Sequence, residues 1–287
     1  MFQRRFVARD GENCVASTLE SHLTRGVVAA AAALAAVFAL PSGAADATDV
    51  KVGAIGFVAP KYEGSDEYRV LGAPFAYPIF SDAATGGLAG RVAPGNGIDD
   101  LRLRLLDGHG FEAGLLGGYA FGRDEDDGPL LDRLGDVDGG VILGAYAGFR
   151  AGIALFDISY HRIVSGDTSG YFRLGATVEN RVAPNLNLRV RVGTTYADDD
   201  YMQDYFGVTV AQAAVSGAKL AAYDADAGFK DVFIDIGATY DIDSRWSLLA
   251  GAGYKRLIGD AADSPVIETE DQFSARLGLT YRFSLNR

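Results

Sequence analysis

Cysteine, long apolar runs and positive charge are all scarce in this chain of 287 residues. The one cysteine, Cys14, precedes the one long apolar run, Gly26–Leu40, so the rest of the chain offers no disulfide, thiol nucleophile or zinc–thiolate site. The run is too short to cross a bilayer as a helix. The formal net charge of −12 excludes a sequence-independent nucleic-acid binder, which needs a basic surface.

The N-terminal region has the features of an export signal. Arg25 flanks the apolar run, and small residues follow Pro41, which is typical of a secretory signal peptide. We therefore expect residues 1–45 to be a signal peptide with an over-long N-terminal extension, and residues 46–287 to form the single mature domain. A membrane anchor is the alternative.

The mature chain alternates between apolar and polar residues with a period of two, as strands do. Leu186 and Leu188 share one face, for example, and Asn187 and Arg189 the other. Twelve such segments are predicted: 51–59, 68–80, 86–93, 99–106, 111–122, 139–149, 152–164, 169–182, 185–197, 228–240, 245–256 and 271–283. Most are close to the ~9–11 residues of a tilted strand that crosses a bilayer.

The lengths of the connections decide between two all-β folds. Connections from even to odd strands are short, whereas those from odd to even strands include four long loops, at 60–67, 123–138, 198–227 and 257–270. A soluble sandwich has no reason to sort loops in this way, but an outer-membrane barrel does. We predict a transmembrane antiparallel β-barrel of about 12 strands in the Gram-negative outer membrane, with short periplasmic turns and long extracellular loops.

The long loops are strongly acidic. Beside anionic lipopolysaccharide and outer-membrane lipid, such loops could hold bridging divalent cations, or they could simply be solvated.

The longest loop loses its alternation at Val208–Leu220, where Ala and Gln favour helix. We expect this apolar stretch to fold into the barrel mouth, where Asp200 and Asp204 could pair with lumen bases. A mobile external loop is the alternative.

Basic side chains fall on strand faces that must point inward, because each would cost roughly 2–4 kcal/mol against lipid. Such a lumen could favour anionic solutes, or its arginines could pair with acids in a network that plugs the barrel. The lumen-lining basic residues predicted are Arg102, Arg104, Arg173, Arg189, Arg191 and Arg276.

Enzyme chemistry finds little support. Asp157, Ser159 and His161 share one strand face, but neighbours two residues apart on a strand lack the orienting geometry of a catalytic triad. We expect no catalytic residue, metal site or cofactor.

The last strand resembles the signal read by the outer-membrane assembly machinery. The residues that carry this resemblance are Arg276, Gly278, Tyr281 and Phe283.

Loop motifs along the whole mature chain carry a resemblance to a known family. The chain is similar to the MipA/OmpV family of MltA-interacting outer-membrane proteins. The motif residues are Pro60, Tyr62, Gly64, Ser65 and Asp66 in the first loop, Tyr205, Phe206 and Gly207 in the longest, and Asp263, Ser264 and Pro265 in the last.

The resemblance implies a non-enzymatic scaffold at the cell wall, which brings a lytic transglycosylase to a bifunctional penicillin-binding protein. The periplasmic turns offer little surface for two enzymes. A small porin-like channel for anionic or small polar solutes is the alternative function.

Overall fold

The structure is a computed structural model that describes residues 49–79, 91–166, 168–216 and 219–284. The expected signal peptide, residues 1–45, lies outside this part of the chain. Within it, no helix is both long enough and apolar enough to cross a membrane.

Twelve strands make up most of the described chain. They are β1 (Asp49–Pro60), β2 (Tyr68–Ile79), β3 (Val92–Gly97), β4 (Asp100–Gly108), β5 (Phe111–Ala120), β6 (Gly140–Ala151), β7 (Ala154–Ile163), β8 (Gly170–Ala183), β9 (Leu186–Ala197), β10 (Gly228–Asp241), β11 (Trp246–Leu257) and β12 (Asp271–Ser284). Three short helices lie in the long loops, α1 (Asp199–Phe206), α2 (Val210–Val215) and α3 (Asp260–Asp263), and a 3₁₀ turn spans Glu125–Asp127.

All the strands belong to one antiparallel sheet, in which neighbours in sequence pair except for β2 and β3, and β12 also pairs with β1. β2 and β3 are the outermost strands, and no ladder joins them within the described residues. The predicted antiparallel β-barrel of about 12 strands is confirmed. The connections after β4, β6, β8 and β10 are short and the four predicted loops at the other rim are long, whereas the connection after β2 lies almost wholly outside the described residues.

The third strand differs from the prediction. We predicted a strand at 86–93, of which 86–90 lie outside the described residues, and a connection near 94–98; the observed strand is Val92–Gly97. The tip of the β3–β4 hairpin bends into the lumen instead of lying on the rim. The tip passes very close to neighbouring backbone. A Cβ on Gly95 would overlap backbone atoms of Asp100, and a Cβ on Gly118 would overlap backbone atoms of Asp99.

Exposure alternates along the strands because successive side chains point to opposite faces. On β12, Leu279 is 42% exposed and Thr280 is 2% exposed. On β10, Ile236 is 49% exposed, whereas Asp235 beside it faces the lumen. The apolar face therefore points outward, as a lipid-facing surface must.

The four long loops pack on one another as a cap over the barrel mouth. One apolar cluster joins Tyr62, Leu131 and Val266, which come from three different loops. Hydrogen bonds link the same loops, such as Tyr62 Oη to the Val266 carbonyl at 3.2 Å and Ser264 Oγ to the Phe206 carbonyl at 2.5 Å. Because the loops bury apolar side chains against one another, they form one packed structure and are not separate solvated loops.

Candidate functional site: the barrel lumen and its cap

A buried ion-pair network crosses the lumen. The Asp157 carboxylate accepts hydrogen bonds from Arg191 at 2.6 and 3.1 Å and from Arg102 Nη2 at 2.8 Å. Arg102 also binds both carboxylate oxygens of Asp100, at 2.8 and 2.9 Å, and lies over the Tyr146 ring. All four charged side chains are at most 8% exposed. Two acids and two arginines cancel in charge, so this belt crosses the lumen without a net formal charge.

The inward hairpin tip supplies the next layer. Asp99 Oδ2 accepts hydrogen bonds from Arg173 at 2.7 Å and from Tyr171 Oη at 3.1 Å. Asn96 binds Asp100 at 2.6 Å and also accepts a hydrogen bond from Arg189. The tip between β3 and β4 is thus tied to the opposite wall at several points. Burial would raise the pKa of Asp99, but Arg173 and the hydrogen bonds hold it well below its usual range.

A third ion pair lies on the β10–β12 side of the lumen. Arg276 donates two hydrogen bonds to Asp235, at 2.6 and 2.8 Å, and Arg189 Nη1 lies 3.8 Å from the same carboxylate. One acid serves two arginines here, so this layer keeps an excess positive charge.

A carboxylate from the first loop reaches down between two lysines. Glu63 Oε1 lies 2.7 Å from the ammonium groups of both Lys230 and Lys255, and Tyr201 Oη donates to Glu63 at 3.3 Å. Burial would raise the pKa of Glu63, but the two lysines hold it well below its usual range. A register shift between Phe229 and Asp231 sets both Lys230 and Asp231 in buried positions, with 3.0 Å between them.

The helix that enters the mouth is α1 and not the segment expected from the sequence. Tyr201, Met202, Tyr205 and Phe206 are all buried and join the cluster that includes the strand residues Ile142 and Leu257. α2 has no buried residue, but Val208 and Leu220, on either side of it, are buried among the other loops. The longest loop thus enters the mouth through α1, while its apolar middle, Val208–Leu220, contains the helix α2 and packs in the cap.

The two α1 acids predicted to pair with lumen bases differ in the structure. Asp200 is exposed, and no salt bridge to it is formed within the described residues. Asp204 acts electrostatically on Arg123 at the cavity wall. Glu63, which the sequence did not single out, pairs with two lumen lysines. Several other loop acids bind loop backbone; Glu268 Oε2, for example, accepts from Asp66 N at 3.2 Å. In the part of the chain that the structure describes, no three His, Cys, Asp or Glu residues are grouped to hold a metal ion.

Between the cap and the ion pairs lies a cavity of about 450 Å³. Its apolar wall comes from inward residues of the first two strands and from β10, and its other sides carry tyrosines and charged groups. Its lining includes Phe57, Leu71, Phe233, Tyr62, Phe121 and Arg123.

The six basic residues predicted for the lumen are distributed unevenly. Arg102, Arg173, Arg189, Arg191 and Arg276 form the contacts described above. Arg104 lies apart, toward the short-turn rim, in an exposed pair with Asp107 at 3.0 Å. The assignment of these residues as a functional site stays a prediction.

The other predicted groups lie at the two rims. In β12, Tyr281 packs edge-on against Trp246 and against Phe283, and Gly278 faces Ile55 of β1. Gly64, with a φ of 101°, begins the turn over Ile267, and Ser65 Oγ binds Glu268. The remaining loop-motif residues, Pro60, Asp66, Gly207, Asp263 and Pro265, belong to the segments that build or adjoin the cap.

Asp157, Ser159 and His161 do not form a catalytic triad. His161 Nε2 lies 3.0 Å from Ser159 Oγ, but its Nδ1 contacts the Asp99 carbonyl oxygen at 3.2 Å. Asp157 is instead bound by two arginines. The carboxylate that would orient the imidazole in a triad therefore binds arginines instead.

The sequence analysis missed Glu63, Asp99, Arg123 and Lys230. Asp99 sits in a two-residue connection, whereas the sequence predicted it as the first residue of the fourth strand, and Lys230 faces inward only because of the register shift. Both depend on local backbone irregularity, for which the alternation pattern contains no signal.

An apolar outer face, a charged inner face and loops sorted by length define an outer-membrane β-barrel. The family model described as MltA-interacting protein MipA matches residues 52–283. The chain belongs to this family.

Individual relatives match over shorter stretches. Outer membrane protein YiaT of Escherichia coli K12 is 31% identical over 34% of this chain and 39% of its own length. Outer membrane protein OmpV of Vibrio cholerae is 31% identical over 32% of this chain and 34% of its own. The MltA-interacting protein of E. coli K12 is 26% identical over 34% of this chain and 38% of its own. The matches thus span at most 39% of these three relatives, and all three names are consistent with an outer-membrane location.

Proposed function

We propose that this protein is a non-enzymatic interaction barrel, which anchors a peptidoglycan-cleaving transglycosylase and a penicillin-binding protein at the inner surface of the outer membrane. The observation that carries the proposal is the belt of Asp157, Arg102 and Arg191. A buried, charge-balanced belt across the lumen occupies space that a conduit would need, which favours an anchor over a channel.

The name of one relative supports the choice of partner, since it is described as MltA-interacting. The periplasmic turns observed are short, at 109–110, 152–153, 184–185 and 242–245. A partner that docks at this rim would therefore touch the turns and the strand ends together. Exposed side chains such as Asp243 and Arg245 are available there.

Co-elution tests the proposal. The purified, detergent-solubilised barrel is passed over an immobilised lytic transglycosylase, and we expect stoichiometric retention. Replacing Asp243 and Arg245 with alanine should weaken retention, whereas replacing Asp224 and Asp226 in the extracellular loop should not. A correctly assembled barrel that neither partner enzyme retains would overturn the proposal.

A small-solute channel is the second candidate, and the 450 Å³ cavity favours it. Planar-bilayer recordings distinguish the two functions. The interaction barrel should show no stable conductance steps, while anion-selective steps from the purified protein would support the channel.

A further inference from the structure

Arg123 is a buried cation whose side chain is not fully hydrogen-bonded. It is 3% exposed, and its Nη1 donates to the Tyr205 carbonyl oxygen at 2.8 Å. Its Nε has no hydrogen-bond partner, and no salt bridge to it is formed within the described residues. Burial lowers the pKa of Arg123, and Tyr205, Tyr62, Asp204 and Asp127 oppose that effect only in part. Buried polar atoms in proteins are normally hydrogen-bonded, so the unpartnered Nε needs an explanation.

Arg123 lines the cavity under the cap, and that cavity is basic. Its walls contain eight Lys or Arg residues and three acids. Lys61, Arg191 and Lys230 have further acid partners outside the lining, in Glu67, Asp157 and Asp231. Asp235 is shared between two arginines. An anion entering this space would therefore meet more basic than acidic side chains in the cavity wall. The charged lining residues are Lys61, Arg69, Arg123, Arg173, Arg189, Arg191, Lys230, Lys255, Glu63, Asp99 and Asp235.

The same cavity has an apolar side. Phe57 and Leu71 face each other across the β1–β2 ladder on the inner face of the sheet, and Phe233 lines the space from β10. Near Arg123, the Tyr205 hydroxyl donates to the Phe121 carbonyl oxygen at 3.1 Å, which holds two further rings at the cavity wall. A volume of about 450 Å³ falls in the range of about 300–1,000 Å³ that is usual for small-molecule sites.

We propose that this cavity binds an organic carboxylate with an apolar body, whose carboxylate pairs with Arg123 and whose body packs against Phe57 and Leu71. A carboxylate can accept two parallel hydrogen bonds from a guanidinium and would satisfy the unpaired Nε. The site goes beyond the interaction role proposed above and does not depend on it, because binding under the cap requires neither conduction nor a periplasmic partner.

The test is calorimetric titration of the purified full chain in a non-ionic detergent with 4-phenylbutyrate. We expect saturable binding of this anion and none of 4-phenylbutylamine, which has the same apolar body and the opposite charge. Arg123→Gln should weaken binding about tenfold or more, because it removes a charged partner. Arg104→Gln is the matched control and should leave binding unchanged, since Arg104 lies outside the cavity lining.

A second variant covers the case in which Arg123→Gln fails to assemble. Phe57→Ala removes apolar surface without touching the charge, and should weaken 4-phenylbutyrate binding by about tenfold. Assembly of each variant is checked by the shift in gel mobility on heating. Equal affinity for the anion and the amine, or an assembled Phe57→Ala protein that binds like wild type, would overturn the proposal.

Discussion

Asp157 and Arg191 form a two-point ion pair in the barrel, with Nη1–Oδ1 at 2.6 Å and Nη2–Oδ2 at 3.1 Å. Their side chains are 0% and 3% exposed. Arg102 binds the free side of the same carboxylate. One acid on β7 therefore joins β4 to β9 across the lumen, and its removal would leave two buried arginines without their shared acid.

Asp157→Asn should destabilise the assembled barrel by about 3–5 kcal/mol, which is typical when one partner of a buried pair is removed. The measurement is the temperature at which the folded gel band disappears. Asp107→Asn is the control, since Asp107 forms an exposed pair with Arg104 and such pairs contribute about 0–1 kcal/mol. Equal melting of the two variants would contradict a structural role for the belt.

Glu63→Gln should loosen the cap at neutral pH, because it leaves Lys230 and Lys255 without their shared acid. The pKa of Glu63 in the folded protein lies below the value of about 4.3 in an unfolded chain. Its contribution is thus fully present above about pH 4.3 and is lost as the pH falls through the folded value.

The wild-type barrel should accordingly exceed Glu63→Gln in stability by a constant amount from pH 8 to about pH 5, and the difference should shrink below about pH 4.3. Heat-induced mobility shifts across this range provide the measurement. Glu67→Gln is the control, because Glu67 is 54% exposed in its pair with Lys61. A difference that grows on acidification would have the wrong sign for this ion pair.

Cysteines introduced at two neighbouring positions of β12 should differ in their reaction with lipid-soluble probes. Cys14 lies in the expected signal peptide, so Leu279→Cys and Thr280→Cys can each be the single cysteine of the mature chain. Lipid-soluble maleimides should modify position 279, which is 42% exposed, and should spare position 280, which is 2% exposed. Reversed labelling would mean that the strand register is shifted by one residue.

Phe283→Ala should lower the yield of assembled barrel, because Phe283 lies in the terminal aromatic pattern and packs against Tyr281 at a centroid distance of 4.5 Å. Phe273→Ala is a matched control on the same outward face, at the other end of β12. Quantitative blots of the outer-membrane fraction give the readout. Equal yields would remove the last strand from consideration as an assembly signal.

Strand positions and loop sorting follow from the sequence because the period of two is a property of each strand alone. The inward face of Arg102, Arg173 and Arg191 follows for the same reason. The alternation could not say whether these arginines meet acids or solvent. That depends on which residues face each other across the barrel, as Arg102 and Asp157 do although 55 positions separate them.

The cap was harder to foresee. Both α1 and α2 lie in the longest loop, and the more apolar segment, Val208–Leu220, was expected to fill the mouth. The structure uses α1 instead, whose tyrosines pack at the lumen while their hydroxyl groups find partners such as Glu63 and the Phe121 carbonyl. The mean apolarity of a segment does not identify tyrosines whose rings are buried while their hydroxyl groups form hydrogen bonds.

The shared core of the four loops has a consequence for immune recognition of the cell surface. Tyr62 and Val266 touch although 204 positions separate them, and Phe206 and Ser264 touch across 58. The outer face of the protein is therefore a composite epitope, built from parts of the chain that no short peptide contains. Antisera raised against single loop peptides should bind the denatured chain well and intact cells poorly, whereas antibodies raised against assembled barrels should show the reverse preference.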